Sequence, residues 1–410
     1  MSGVFSRLVG QVAATAVLVS AAKAAHSDSV HNQAVDGAMS HAWLITGPPG
    51  SGRSIAALCF AAALQCLSGA AGATPGCGQC RACTTTLAGT HADVRRVIPE
   101  GLSIGVDEMR AIVQTASRRP TTGRWQIVLI EDADRLTEGA ANALLKVVEE
   151  PPPSTVFVLC APSVDPDDIA ITLRSRCRHV ALVTPSVAAI AQVLRDNDGL
   201  SADTAQWAAS VSGGHVGRAR RLATDPQARQ WRVQALGLVR DAATPSRMYA
   251  SAEELVAAAE AEARALTVDR AEAETKELWT ALGAGGTGKG TTGAVRGAAG
   301  AIKDLERRQK SRQTRAARDA LDRALIDVAT YLRDALVGAV GAGGVCANHP
   351  DMADRAAALA AHATPERLLR CIQAVLECRA ALAANVKPKF AVDAMVAIIG
   401  QELGGRARLS

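Results

Sequence analysis

Ala42-Trp43-Leu44-Ile45-Thr46-Gly47-Pro48-Pro49-Gly50-Ser51-Gly52-Arg53-Ser54 is the stretch on which the fold turns. Its first five residues have the length and apolarity of a buried strand, and Ser54 to Leu67 continues as a helix. A strand, a glycine turn and a helix in that order set backbone N–H groups at a helix mouth, where they cradle phosphates. In such loops a lysine normally reaches the β- and γ-phosphates, and Ser or Thr ligates magnesium. Gly47, Gly50, Gly52 and Ser54 stand in those places, but Arg53 replaces the lysine. Arginine keeps the charge on a bulkier planar fork. Nucleotide binding is therefore expected to be weakened and hydrolysis more so. A glycine turn with no ligand stays open as the alternative.

Outward from this stretch, apolar runs and helical stretches alternate. Gln126 to Ile130 reads as a second buried strand, ending in Glu131-Asp132-Ala133-Asp134. Carboxylates there would hold magnesium and activate water, usually as Asp then Glu. Here the order is Glu131 then Asp132, so each carboxylate is displaced by a methylene, and a solvated acidic loop remains the competing reading. Ala140 to Glu150 is helical and is stopped by Pro151-Pro152-Pro153; Thr155 to Cys160 makes a third strand. Alternation of this kind implies a parallel sheet with its ligand at the carboxyl ends of the strands.

Past Val183 the strands stop. Residues 184–225 read as a small helical module containing Ser212-Gly213-Gly214-His215-Val216-Gly217-Arg218, and from Pro226 the chain is almost all helix. Gly283 to Gly300 reads as a flexible link. Within it, Gly283-Ala284-Gly285-Gly286-Thr287-Gly288-Lys289-Gly290 imitates a phosphate loop but ends in glycine and follows no buried strand. The expected domains are an α/β core over 1–183, a helical lid over 184–225 and a helical domain over 226–410.

Composition fits this plan. Of 410 residues 48% are hydrophobic and only 3% aromatic, which favours packed helices over a β-sandwich. A net charge of +5 permits a nucleic-acid-facing surface without requiring one. Residues 303–323 concentrate eight Lys or Arg against four Asp or Glu, a pattern read first as a solvated helix face. Val12 to Ala22 imitates an export leader. It is read instead as a first helix packing Val9, Val12, Ala16 and Val19, because a nucleotide-type loop belongs in the cytoplasm. No run has the roughly 20 apolar residues of a membrane span.

Ten cysteines in such a chain point to metal or buried thiols rather than disulfides. Cys77, Cys80 and Cys83 form a C-x-x-C-x-x-C run, and Cys66 on the preceding helix supplies the best fourth ligand, with His91 and Cys59 in reserve. Four thiolates suit a closed, structural zinc site, with no position left for a catalytic water. Free buried thiols are the competing reading.

Several pieces in one order resemble the bacterial clamp-loader family of AAA+ ATPases. They are Phe5-Ser6-Arg7-Leu8-Val9-Gly10-Gln11, the glycine turn, the cysteine cluster, the acidic strand end, Asn142-Ala143-Leu144-Leu145-Lys146-Val147-Val148-Glu149-Glu150-Pro151 and Ser175-Arg176-Cys177. Gly89-Thr90-His91-Ala92-Asp93 and Thr172 to Arg178 are similar to segments of its delta-prime-type subunits rather than of its tau/gamma motors. Leu382-Ala383-Ala384-Asn385 is like the close of the family's collar. The resemblance implies an α/β AAA+ P-loop core with a parallel sheet, a helical lid and an all-helical collar. It also implies a subunit of the DNA polymerase III holoenzyme that joins tau/gamma and delta subunits in a ring, at the replisome, and helps load the sliding clamp onto primed DNA. Its own ATPase would be weak or absent.

On residues alone Arg174-Ser175-Arg176-Cys177-Arg178 is a solvated edge. The resemblance makes Arg176 an arginine finger for a neighbour's ATP, places Arg218 near the second sensor position and Ser163 near the first, and makes the zinc structural. Gly47, Gly50, Gly52, Arg53, Ser54, Glu131, Asp132 and Arg218 would line the chain's own ATP and magnesium site. Three other readings compete: a tau/gamma-like motor, a stand-alone P-loop ATPase, and a zinc-dependent nucleic-acid-binding module.

Overall fold

The computed structural model describes residues 3–26, 39–68, 74–281, 291–342 and 344–404, over 291–298 by backbone alone. It divides into two compact units, 1–220 and 221–410.

The first unit is built on five parallel strands: β1 (Ala42–Thr46), β2 (Val94–Val97), β3 (Gln126–Ile130), β4 (Thr155–Ala161) and β5 (Arg178–Ala181). Their order is β2-β3-β4-β1-β5. β1 is flanked by β4, with Thr46 opposite Ala161, and by β5, with Thr46 opposite Ala181. The glycine turn therefore leaves the carboxyl end of a central strand, where parallel sheets hold ligands. Every residue of β1, β3 and β4 is buried, because helices cover both faces of the sheet.

α1 (Val12–His26) and α2 (Arg53–Leu64) pack on one face, with Phe60 edge-on to Trp43 at 4.9 Å between ring centres. α4 (Val106–Ala116) and α5 (Glu138–Glu149) cover the other, through Met109, Ile112, Leu144 and Val148. Between them in sequence lies α3 (Arg81–Leu87), and α6 (Ile171–Arg174) precedes β5. α7 (Val187–Asp196), α8 (Ala202–Ser210) and the start of α9 (Val216–Thr224) follow the sheet. Ser186 and Ser201 cap α7 and α8 by accepting from the N–H of Ala189 and Thr204.

The second unit is helical throughout its described residues: α10 (Pro226–Ala242), α11 (Met248–Ala281), α12 (Thr291–Ala339), α13 (Ala353–His362), α14 (Pro365–Ala383) and α15 (Pro388–Leu403). One apolar core, including Leu255, Leu325, Leu332, Leu368, Val375, Val392 and Ile399, joins them. α11 and α12 are fastened by Glu274 with Arg312, by Gln309 Nε2 donating to the Ala271 carbonyl at 3.0 Å, and by Arg323 with Glu262. Much of the basic stretch 303–323 is thus committed to its own unit. Arg315 also pairs with Asp319, and Arg318 donates to the Leu382 carbonyl at 3.0 Å.

Two expectations change. α1 buries Ala14, Leu18, Ala21, Ala22 and Ala25, while Val12 is 75% exposed. An alanine-rich helix is apolar all round, so its pattern does not choose a face. From Thr291 the glycine-rich link is helical, as the start of a helix of 49 residues. Propagation adds a hydrogen bond for each residue fixed, which offsets glycine's cost of about 1 kcal/mol. Gly283 to Gly290, with its phosphate-loop imitation, lies outside the described residues.

Candidate nucleotide and metal sites

The glycine turn joins the end of β1 to the start of α2. Gly50 and Gly52 take φ of 87° and 95°, conformations that glycine reaches without strain, and Gly52 leads directly into α2. A Cβ on Gly47 would lie 2.6 Å from Ser51 Oγ and 2.9 Å from the Leu182 carbonyl, so this glycine is required by close packing.

Buried Gln11 braces the loop from behind. Its amide donates to the Ser51 carbonyl at 3.1 Å and the Val183 carbonyl at 2.6 Å, and its Oε1 accepts from the Val183 N–H at 3.0 Å. Gln11 closes the opening motif Phe5 to Gln11, so its place in the sequence was visible but its task was not.

Two contacts occupy the loop from inside the unit. The Arg53 guanidinium turns back and donates to the Gly47 carbonyl. His215 lies against the loop's apex, where a Cβ on Gly50 would meet its Cβ at 2.5 Å. Its Nδ1 accepts from the Arg218 N–H at 3.2 Å. The structure thus brings the Ser212–Arg218 segment to the glycine turn through His215. Ser54 sits in the first turn of α2, half-buried.

At the end of β3, Glu131 is held by Arg96, whose Nε and Nη2 donate to one carboxylate oxygen at 2.8 and 2.6 Å. Asp132 adopts φ 59° and begins a short 3-10 turn. Beside them Asp134 buries an oxygen with no hydrogen-bond partner among the described residues. Burial and then the neighbouring Asp132 raise its pKa, while Arg135 and Arg53 pull it down. The serine carried over as a first sensor, Ser163, donates to Asp168 at 2.7 Å and accepts from the Asp165 N–H at 2.9 Å, which fixes its own turn.

Arg176 follows α6 and is 39% exposed. Its Nη2 meets Glu149 at 2.6 Å, and its Nη1 donates to the Thr172 carbonyl at 3.0 Å and to Ser175 Oγ at 3.2 Å. Glu149, at the end of α5, was visible only as part of a quoted run.

The metal candidates converge. The Sγ atoms of Cys66, Cys77, Cys80 and Cys83 all lie within 4.8 Å of one another. Around zinc at about 2.3 Å, tetrahedral sulfurs stand about 3.8 Å apart, so the four fit such a centre. None is in a disulfide. Gly76 and Gly78, at φ 93° and 77°, form the knuckle around Cys77, and Cys80 caps α3. Cys77 Sγ accepts from the N–H groups of Gln79 and Cys80 at 3.4 and 3.3 Å, and Cys80 Sγ from that of Cys83 at 3.5 Å. Burial raises the Cys77 thiol, but these donors, with Ser68 and Cys80, outweigh it and bring it to about 6. Deprotonated sulfur is what a zinc ligand requires.

The reserves are otherwise engaged. Cys59 donates to the Val4 carbonyl at 3.1 Å, and His91 Nδ1 accepts from the Asp93 N–H at 3.1 Å.

A family profile described as "DNA polymerase III, delta subunit" matches residues 22–186, the stretch holding the glycine turn, the four cysteines, the acidic strand end and Ser175-Arg176-Cys177. This part of the chain is similar to the clamp-loader subunits of DNA polymerase III. DNA polymerase III subunit delta′ of Escherichia coli is 36% identical over 201 residues, 48% of this chain and 59% of that protein. Subunit tau of Bacillus subtilis is 35% identical over 151 residues, 37% of this chain and 26% of that protein. The chain therefore spans less than two thirds of the length of the relatives it matches. Among solved structures, a DNA polymerase III gamma subunit-related protein from Thermotoga maritima aligns over 88% of this chain and 95% of its own, at 15% identity and a TM-score of 0.40. The chain is thus similar to both delta′ and tau subunits.

Proposed function

We propose that this chain is a delta-prime-type clamp-loader subunit, a ring component that assists ATP hydrolysis in a neighbour rather than performing it. The observation that carries this reading is Arg53, which stands in the lysine position and turns onto its own loop's Gly47 carbonyl. A guanidinium so placed no longer offers its charge to a γ-phosphate. His215 against Gly50 and Arg96 on Glu131 support the same conclusion.

In this reading residues 1–183 are the AAA+ core, 184–225 the lid and 226–410 the collar that joins tau/gamma and delta subunits. The assembly, in the cytoplasm at the replisome, loads the sliding clamp onto primed DNA. Arg176 acts as the finger on a neighbour's ATP. Cys66, Cys77, Cys80 and Cys83 hold zinc, which pins the segment between α2 and α3 and takes no part in chemistry. Gly47, Gly50, Gly52, Arg53, Ser54, Glu131, Asp132 and Arg218 remain as the outline of a nucleotide site with little or no turnover.

A tau/gamma-like motor is the second reading, favoured by the identity to subunit tau. Turnover by the isolated chain, before and after Arg53→Lys, separates the two. The non-motor reading expects wild-type ATP hydrolysis at background. High hydrolysis that Arg53→Lys leaves unchanged contradicts it.

A further inference from the structure

The helical unit carries an open pocket of about 490 Å³, within the usual range for small-molecule sites. It lies outside the residues matched by the family profile. Its apolar lining includes Leu236 and Val239 of α10, Leu359 of α13 and Leu403 at the end of α15. Gly237 lies between the two α10 residues, inside the helix, and a Cβ there would meet no atom within 4 Å. Glycine in a helix interior is destabilising relative to alanine. No packing in this unit requires the missing Cβ, so the position keeps space open.

The pocket's polar lining is Arg240, Thr244, Tyr331, Arg355, His362, Arg367 and Glu402, with Arg355 exposed. Tyr331 is 7% exposed, and its hydroxyl has no hydrogen-bond partner among the described residues. Burial raises its pKa, and the nearby Arg355 guanidinium pulls it the other way. Arg355 lines the cavity and has no carboxylate at ion-pair distance among the described residues. The other lining arginines differ: Arg240 pairs with Asp241 at 2.8 Å, and Arg367 approaches Glu402 at 3.7 Å. Glu402, the one carboxylate of the lining, is also taken by Arg370 at 2.8 Å. Among the lining residues, the Arg355 guanidinium and the Tyr331 hydroxyl are left as one unpaired cation and, close enough to feel it, one unpaired hydroxyl.

We propose that this cavity binds a small apolar carboxylate, with its head group on Arg355 and the Tyr331 hydroxyl and its tail between Leu236, Val239, Leu359 and Leu403. A charged hydrogen bond from arginine fixes the head group, and buried apolar area holds the tail. An ammonium head group meets an excess of positive charge, and a neutral alcohol forgoes the ion pair.

Calorimetric titration of the full chain with sodium octanoate tests this, with octylamine and octanol as controls. Saturable octanoate binding is expected, at least tenfold tighter than either control. Arg355→Gln should weaken it tenfold or more, and Gly237→Leu should abolish it by filling the chamber. Thermal unfolding of each variant shows whether it is folded, and Arg355→Gln on the surface of the cavity decides the matter if Gly237→Leu is not. No saturable binding of octanoate, or equal binding of octanol, overturns the proposal.

Discussion

Arg176 is the residue through which this chain would reach a neighbour, and in the free chain its guanidinium rests on Glu149, Thr172 and Ser175. Both partners of the ion pair are about two-fifths exposed. Such a pair is worth about 0–1 kcal/mol, so a neighbour's triphosphate can replace the carboxylate at little cost. The same number means that removing Arg176 leaves the fold intact.

Asp93 is the opposite case. Its carboxylate accepts from the N–H and hydroxyl of Thr121, the N–H and hydroxyl of Thr122, and the N–H of Gly123, all at 2.6–2.8 Å. Burial opposes the charge, but these donors hold its pKa far below the ordinary carboxylate range. A depressed pKa gives stability that is fully present above the unfolded value of about 3.9 and is lost as pH falls through the lower folded value. Asp93→Ala should cost about 2–4 kcal/mol in denaturant unfolding at pH 7, since several donors lose the one carboxylate they share. The difference from wild type should shrink steadily between about pH 4 and pH 2, and a variant as stable as wild type at pH 7 contradicts this role. The sequence marked Gly89 to Asp93 only by resemblance; nothing in it pointed to residues 121–123.

For the metal, protein purified without chelator should carry about one zinc per chain by elemental analysis, and Cys80→Ser should abolish it. Wild-type protein free of metal would contradict the site. The cysteine spacing made this site legible in advance, because C-x-x-C runs are local. Arg96 and His215 were not legible, because each acts on a loop far from it in sequence.

Among the elements, the strands that could be read were those buried on both faces. β1, β3 and β4 are unbroken apolar runs, whereas β2 reads Val-Arg-Arg-Val and β5 reads Arg-His-Val-Ala. As edge strands these two have exposed side chains, and the apolar signal is lost. α1 was found but turned to the wrong face, since alanine supplies no contrast.

A second element-level feature is the segment after α12. Arg232, 5% exposed, donates to His349 Nδ1 at 2.8 Å and to Asp351 at 2.7 and 2.9 Å. His349 Nε2 meets Thr330 Oγ1 at 2.9 Å, while Asp334 accepts from the His349 N–H at 2.8 Å. Because arginine only donates, Nδ1 must accept, and the imidazole is neutral. Burial lowers its pKa and Arg232 lowers it further, against Asp327, Asp334 and Asp351. A histidine with a depressed folded pKa binds its proton more readily when unfolded. Its contribution is complete above the unfolded value of about 6.5 and falls as pH drops below it. Unfolding of the helical unit should therefore become easier between pH 7 and pH 5, and His349→Gln should flatten that slope. An unchanged slope in the variant places the pH dependence elsewhere.

For the whole molecule, the sequence reading was of three domains, 1–183, 184–225 and 226–410, drawn from the change of period from alternating strands and helices to helices alone. The chain itself divides into two compact units, 1–220 and 221–410. The exact packing of α10 to α15 was not legible, since any alanine-rich helix can face several partners. In the first unit Arg53 turns onto the Gly47 carbonyl of the glycine turn, and Arg176 holds an exposed ion pair with Glu149. Under the proposed reading, these two arginines are what a subunit that assists a neighbour would carry.

The most direct test is the DNA- and clamp-stimulated ATPase rate of the reconstituted loader, with the wild-type chain and with Arg176→Ala. Fingers supplied in trans to GTPases raise rates by about 10³ to 10⁵. The account predicts a large loss of rate in a complex that still assembles. A fully assembled loader with an unchanged rate would contradict it and leave Ser175-Arg176-Cys177 as a structural turn.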